Sequence, residues 1–457
     1  MSRYDDAIEY ARTNRERSLH SLMDLLRIPS ISTLPEHIPD MQRAAEWLVR
    51  RLTALGFDGA RTLPTARHPV VYAESMKAGP AAQTILFYGH YDVQPTDPLD
   101  LWRTDPFNPV IDGDNLYARG ASDMKGQMVA HLSALEAILS TGPLPVNLKF
   151  MLEGEEEIGS PSLAAFIEKN RSLLQSDFCL NGDSGILAAD TPALTIALRG
   201  LAYFEINVLG PSGDMHSGGF GGAVDNPALV LCQVIAGMRN AHGVIQLPGF
   251  YDKVRPLTAR DREEMAKLPT DEAWWLAQTG APKLDGEAGY TSTERATARP
   301  TLDVNGFLSG FTGAGSKTVL PAKAMAKVSM RLVPDQDPKE IRAGFEAYLQ
   351  QHMPPTVTWS IIEHASCRPS IIDLDSRPVA AAARALEKVW GKAPRYARTG
   401  GSVPVVGHIK DLLGLDSMLL GFGLPDDNLH APNEKQHVPT FYNGTEAFIR
   451  FYEEIAR

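Results

Sequence analysis

A chain of 457 residues with 44% hydrophobic and 22% charged content has an ordinary globular composition and more length than one core uses. A prior of about 150 residues per domain gives two or three domains. Lys+Arg 44 against Asp+Glu 55, a net charge of −11, argues against a nucleic-acid partner, which needs a basic face. No run approaches the roughly 18 apolar residues that span a membrane, so no membrane partner is expected. The N-terminal stretch is charged and lacks the apolar core of a signal peptide, which makes a cytoplasmic protein the expectation. Cys179, Cys232 and Cys367 are too widely spaced for a CxxC-type motif and read as reduced core residues.

In chain order, Leu19, Leu22, Leu25 and Leu26 recur at helical spacing before Pro29, and MQRAAEWLVRRLTALGF repeats that pattern up to Gly56. TILFYGH then reads as a buried strand. MKGQMVAHLSALEAILSTG reads as a helix with Met128, Leu132, Leu135 and Leu139 on one face and Gly142 as its stop. VNLKFML is a strand and SLAAFIEKN a helix, and this alternation predicts an α/β fold with a mostly parallel, helix-covered sheet.

The texture changes at ALTIALRGLAYFEINVLG, residues 193–210, a β-prone run longer than a typical strand. KAMAKVSMRLVP (strand), PKEIRAGFEAYLQQHM (helix) and TVTWSIIEHA (strand) follow in an α+β pattern, and 243–300 looks like an elaboration of it. The helices PVAAAARALEKVWG and VPVVGHIKDLLG and the strand DSMLLGFGL then restore the first texture. The simplest account is an α+β domain over 200–370 inserted into a domain built from 1–199 and 371–457.

Acids and imidazoles gather where predicted strands end. His90 closes TILFYGH, and Asp92 lies two positions on. Asp123 precedes a helix. Glu153, Glu155, Glu156 and Glu157 follow one strand, Asp183 another, and His430 sits in a loop after a third. In open α/β sheets, sites collect at the C-terminal ends of strands. Carboxylates crowded together raise one another's pKa, and divalent cations remove that conflict. Imidazole and carboxylate donors without cysteine suit zinc, manganese or cobalt, and more ligands than one catalytic zinc takes suggest two metals. Ordinary alternatives stay open on pattern alone: a structural strand-end histidine, a helix cap at Asp123, a solvated acidic loop, turn chemistry at Asp183.

GHYDVQP, GASDMKG, LEGEEEIGS, LNGD followed by LRG, MHSG, GGSVPV and LHAPNE, in this order along nearly the whole chain, together resemble the binuclear metallopeptidase family of carnosinases, aminoacylases and glutamate carboxypeptidases. The long insert looks most like the carnosinase-like dipeptidase branch. The resemblance implies a catalytic domain with an inserted lid and dimerisation domain, hence a homodimer, and two divalent metal ions, zinc foremost. His90 and Asp183 would bind one metal, Glu157 and His430 the other, and Asp123 both. Asp92 would orient His90, and the peptide bond after Asp123 would be cis.

Glu156 matches the general base, which takes a proton from a water activated by the metal pair and returns it to the leaving amine. Glu155 departs from the family pattern, where many relatives have an apolar or small residue, so the register of the acidic run rests on the Gly154–Gly159 spacing. His216 matches a histidine that reaches an oxyanion from a partner subunit. Arg331 matches the group that grips the substrate's free carboxylate, and Thr318, Gly401 and Ser402 match further substrate contacts.

The implied activity is hydrolysis of dipeptides or small peptides with a free C-terminal carboxylate. An amidohydrolase on N-acyl amino acids keeps the same chemistry. A catalytically silent binding protein on the same fold is the third reading, against which the retained ligands and Glu156 count.

Overall fold

The computed structural model describes residues 2–401 and 403–457. The chain divides into two compact units. One comprises Met1–Ile196, Ile372–Ala397 and Val405–Arg457, and the other Ala197–Ile371 with Arg398–Pro404.

In the first unit the sheet runs in the order Asp58–Leu63, Val70–Ser75, Asn147–Glu153, Thr84–His90, Phe178–Asn181, Ser417–Leu419, Ala193–Leu198. Its four central strands, from Asn147–Glu153 to Ser417–Leu419, are parallel, and the flanking strands pair antiparallel. Thr84–His90 and Asn147–Glu153 are buried almost throughout, as strands covered on both faces are. Being parallel, they end together: His90 lies opposite Glu153.

The helix Lys125–Thr141 is buried nearly all round, not along the single stripe the spacing predicts. The reason is its position among the helices Arg3–Thr13, Arg15–Leu26 and Val438–Ile455. The Asp123–Met124 bond before it is cis.

In the second unit an antiparallel sheet has the order Thr301–Ser309, Lys323–Leu332, Gly200–Leu209, Thr358–Cys367. Gly200–Leu209 and Lys323–Leu332 alternate buried and half-exposed positions, the period of a sheet covered on one face. Ala202, Phe204, Ile206, Val208, Ala326, Val328 and Met330 form that inner face, against Val230, Leu231 and Val234 of the helix Pro227–Gly237 and Ile341, Phe345 and Leu349 of Pro338–His352. The long β-prone run proves to be two strands that break at Arg199. A side chain at Gly200 would meet the Cys367 carbonyl oxygen at 2.6 Å, so the break needs a glycine.

Cys179 and Cys367 are buried. Cys232, expected in the core, is instead exposed, because the helix turns Val230, Leu231 and Val234 inward and Cys232 lies between them on the outer side. Among the described residues, no helix is long and apolar enough to cross a membrane.

His131 is a polar group inside the helical layer. It stacks on Phe87 at 3.9 Å, its Nε2 is 2.7 Å from the Tyr452 hydroxyl, and its Nδ1 has no partner among the described residues. Burial pushes it down to about 3, whereas an unfolded imidazole titrates near 6.5. Between those values only the unfolded chain holds the proton, so stability is lost as pH falls through 6.5. Wild type should therefore lose about 2 kcal/mol more than His131→Phe between pH 7 and pH 5 in urea unfolding. Equal losses would mean that the imidazole is not held neutral.

Candidate metal centre and active site

The ends of the parallel strands aim their polar residues at one another. The His90 Nε2 lies 3.1 Å from Asp123 Oδ1, and the His430 Nε2 lies 2.9 Å from Asp123 Oδ2. Each oxygen of one carboxylate thus faces a different imidazole. The same His430 nitrogen is 3.2 Å from Glu157 Oε2, which also accepts a hydrogen bond from the Gln94 amide at 2.7 Å. Candidate ligand atoms of His90, Asp123 and Glu157 all fall within 4.8 Å of one another, the reach of a single metal ion.

Asp92 couples two loops. Its backbone carbonyl lies 3.1 Å and its carboxylate 3.5 Å from His90 Nδ1. The carboxylate also accepts the backbone N–H groups of Glu156 at 3.3 Å and Glu157 at 3.0 Å. One residue therefore orients an imidazole, with its carbonyl nearest, and fixes the backbone of the acidic pair with its carboxylate.

Asp183 follows the Phe178–Asn181 strand, and its N–H donates to Asn181 Oδ1 at 2.7 Å. Burial, then the charge of Asp123, pushes its carboxyl up to about 6. Burial pushes Glu156 well above the usual range too, with Asp183, Glu157 and Asp123 adding to it against His90. The imidazoles move toward the charged form. Burial opposes this at His90, but Asp123 and Asp92 prevail; hydrogen bonds to Asp123 and Glu157 push His430 up to about 10. The cluster holds more negative charge than its imidazoles can balance. A hard or borderline divalent cation supplies what is missing, so the donor set fits metal.

Two features escaped the sequence reading. Glu434, inside the quoted LHAPNE, is a buried carboxylate that binds the Arg119 guanidinium at 2.8 Å. It also accepts the N–H groups of Gly120, Ser122 and Asp123 at 2.9, 3.1 and 3.1 Å. It thereby ties the loop of His430 to the loop of Asp123. Only its closeness to His430 in the motif could have drawn notice. Arg199, in the second unit, has its Nη1 buried without a partner among the described residues. Burial, then the like charge of Arg331, pushes it down to about 10.

Arg331 stands on Lys323–Leu332, opposite Leu201 and Thr301. His216 pairs with Val319, and Ser217 donates to the Thr318 carbonyl at 3.0 Å, so His216 and Thr318 are neighbours. His216 Nδ1 accepts the Gly218 N–H at 3.0 Å, which leaves Nε2 to carry the proton of the neutral ring. Gly401 is exposed, its N–H donating to Thr399 Oγ1 at 3.2 Å. Ser402 lies outside the described residues.

The fold and the centre define an α/β protein with an acid–imidazole cluster at the ends of its parallel strands, and comparison with known proteins narrows the class. The model of peptidase family M20/M25/M40 matches residues 86–454. A Cys-Gly metallodipeptidase of Candida albicans is 32% identical over 96% of this chain and 95% of its own length, and a human Beta-Ala-His dipeptidase is 29% identical over 99% and 93%. Among solved structures, an M20 family metallo-carboxypeptidase of Sulfolobus solfataricus superposes with a TM-score of 0.83 at 34% identity, covering 96% of this chain and 99% of that one. Human carnosine dipeptidase 1 does so with 0.75 at 28% identity, covering 100% and 99%. The chain belongs to peptidase family M20/M25/M40, on the carnosinase-like side that its motifs indicate.

Glu434→Ala would strand a buried guanidinium and the N–H donors of the Asp123 loop. A loss of about 3–5 kcal/mol in urea unfolding is expected. A loss under about 1 kcal/mol would show that solvent replaces the carboxylate there.

Proposed function

We propose that the chain hydrolyses the amide bond of dipeptides or small peptides bearing a free C-terminal carboxylate, with two divalent cations, zinc foremost, as cofactors. The observation that carries this is the Asp123 carboxylate turned with one oxygen toward each of two imidazoles, with Glu157 beside His430. His90 and Asp183 would hold one cation, Glu157 and His430 the other, and Asp123 both. When bound, such cations lower the pKa of a water molecule and polarise the scissile carbonyl.

The protein's own groups do the rest. Glu156 takes the proton of the attacking water and delivers it to the leaving amine. Its carboxyl, pushed toward the protonated form by burial and neighbouring acids, is suited to holding that proton between the two steps. Asp92 keeps His90 oriented and Glu156 in register with Glu157.

The second unit is assigned the recognition residues. The Arg331 fork suits a carboxylate, and the like charge of Arg331 on the buried Arg199, which Asp303 offsets only in part, favours a further anion there. The Nε2–H of His216 is available to an oxyanion, and Thr318, Gly401 and Ser402 are further substrate contacts. The two curated relatives carry dipeptides in their names, which favours a peptide over an N-acyl amino acid.

We also assign the second unit a dimerisation role. Its edge strand Thr301–Ser309 exposes Val304, Phe307 and Leu308, and an exposed apolar edge is a template for pairing. A cytoplasmic setting suits the exposed, unpaired Cys232.

Chelation should abolish hydrolysis of a dipeptide panel, and two divalent cations per chain should restore it. Glu156→Gln should lower kcat by roughly 10²- to 10⁴-fold with metal content unchanged. Turnover confined to N-acyl amino acids would shift the reading to a deacylase, and an unaffected Glu156→Gln would remove the base. Leu308→Lys should shift the species seen by light scattering from dimer to monomer.

A further inference from the structure

The proposed chemistry uses Glu156 and Glu157 but leaves Glu155 unexplained. It is an acid buried in the fold, with the residue only 2% exposed. Among the described residues its carboxylate meets neutral donors and no cation. One oxygen accepts the His68 N–H at 2.8 Å and shares the Thr65 hydroxyl, 2.8 Å away, with the His68 carbonyl at 2.6 Å, and the other accepts the Ser162 N–H at 3.1 Å. Its backbone carbonyl accepts the N–H groups of Ile158 at 3.2 Å and Ser160 at 2.7 Å.

One residue thus closes the far side of the loop that carries the acidic pair, through its carbonyl and its carboxylate, and pins that loop to the 65–68 turn. The turn is anchored in its own right: the His68 imidazole lies 3.0 Å from the Ser32 carbonyl. Asp92 holds the same loop from the other side, through the N–H groups of Glu156 and Glu157. The Glu156–Glu157 backbone is therefore clamped between two buried carboxylates.

We propose that Glu155 is a positioning residue for the base and ligand pair Glu156–Glu157, acting through the turn at Thr65–His68. This rests on the assignment of Glu156 as base. An apolar residue of similar size would leave the buried N–H groups of His68 and Ser162 without acceptors, and the loop would shift to find them. Misplacing a catalytic group by about 1 Å costs on the order of a hundredfold in rate.

The test compares Glu155→Met, Glu155→Gln, Thr65→Val and Glu156→Gln as metal-loaded full-length proteins on one dipeptide that wild type hydrolyses. The measurements are kcat, KM, metal per chain and the urea midpoint. Glu155→Met should lower kcat at least about tenfold, with KM within about twofold and metal content unchanged. Glu155→Gln keeps an oxygen for Thr65 and His68 and should recover part of the loss. Thr65→Val, which leaves the buried carboxylate in place, should show a smaller fall of the same kind and carries the test should Glu155→Met fail to fold. Wild-type kcat in Glu155→Met overturns the proposal. So does a loss of activity that follows metal content or stability alone, which is a purely structural role. If Glu156→Gln stays active, the base assignment fails; if it is dead while Glu155→Met turns over normally, only the positioning role fails.

Discussion

The centre depends on one carboxylate shared between two imidazoles. Asp123 can present an oxygen to His90 and another to His430 only if its loop is rigid, and that rigidity comes from Glu434. A buried glutamate paired with a buried arginine is a weak source of stability, since desolvation offsets the attraction. Its value here is geometric. The Glu434 oxygens accept three consecutive-loop N–H groups besides the guanidinium, so the backbone around Asp123 has one arrangement that satisfies all of them.

The parallel sheet supplies the other half of the constraint. Strands that run the same way end on the same edge, so His90, the acidic loop after Glu153 and Asp183 arrive together without contact in sequence. Asp92 turns that coincidence into a coupling. A His-x-Asp at a strand end gives an imidazole its orienter, and the carboxylate of that residue reaches across to the neighbouring strand's loop. A shift of either strand would be felt at both.

What could be read from the sequence was what is local. Thr84–His90, Lys125–Thr141, Lys323–Leu332 and Pro338–His352 announce themselves by long runs of consistent period, and the family motifs carry the residues at their ends. Other elements gave no such signal. Asp58–Leu63 is mostly exposed, so no apolar face marks it. Thr301–Ser309 carries a register shift between Val304 and Gly306 that breaks its alternation. The helix Val438–Ile455 is buried down to Glu453 and Glu454, whose charges are met by Lys388 and Arg384 from a distant helix. The pairing of Glu434 with Arg119 spans 315 positions and has no local signature at all. Patterns report periodicity and spacing; they do not report which buried acid will meet which donor.

That last distinction separates the acids of this chain more sharply than their positions do. A carboxylate whose lone pairs are already engaged by N–H and O–H donors is poorly placed to take a metal ion. Glu153 is engaged by Tyr88 and Ser160, Glu155 by Thr65, His68 and Ser162, and Asp427 by Ser122, Leu424 and Lys435. Asp123, Asp183 and Glu156 instead face imidazoles and one another, and Glu157 lies beside His430 with one oxygen also taking the Gln94 amide. In a run such as Glu-Glu-Glu, sequence cannot choose among the three. The hydrogen bonds set the first apart, since donors from Thr65, His68 and Ser162 engage its carboxylate, while the next two lie toward the imidazoles.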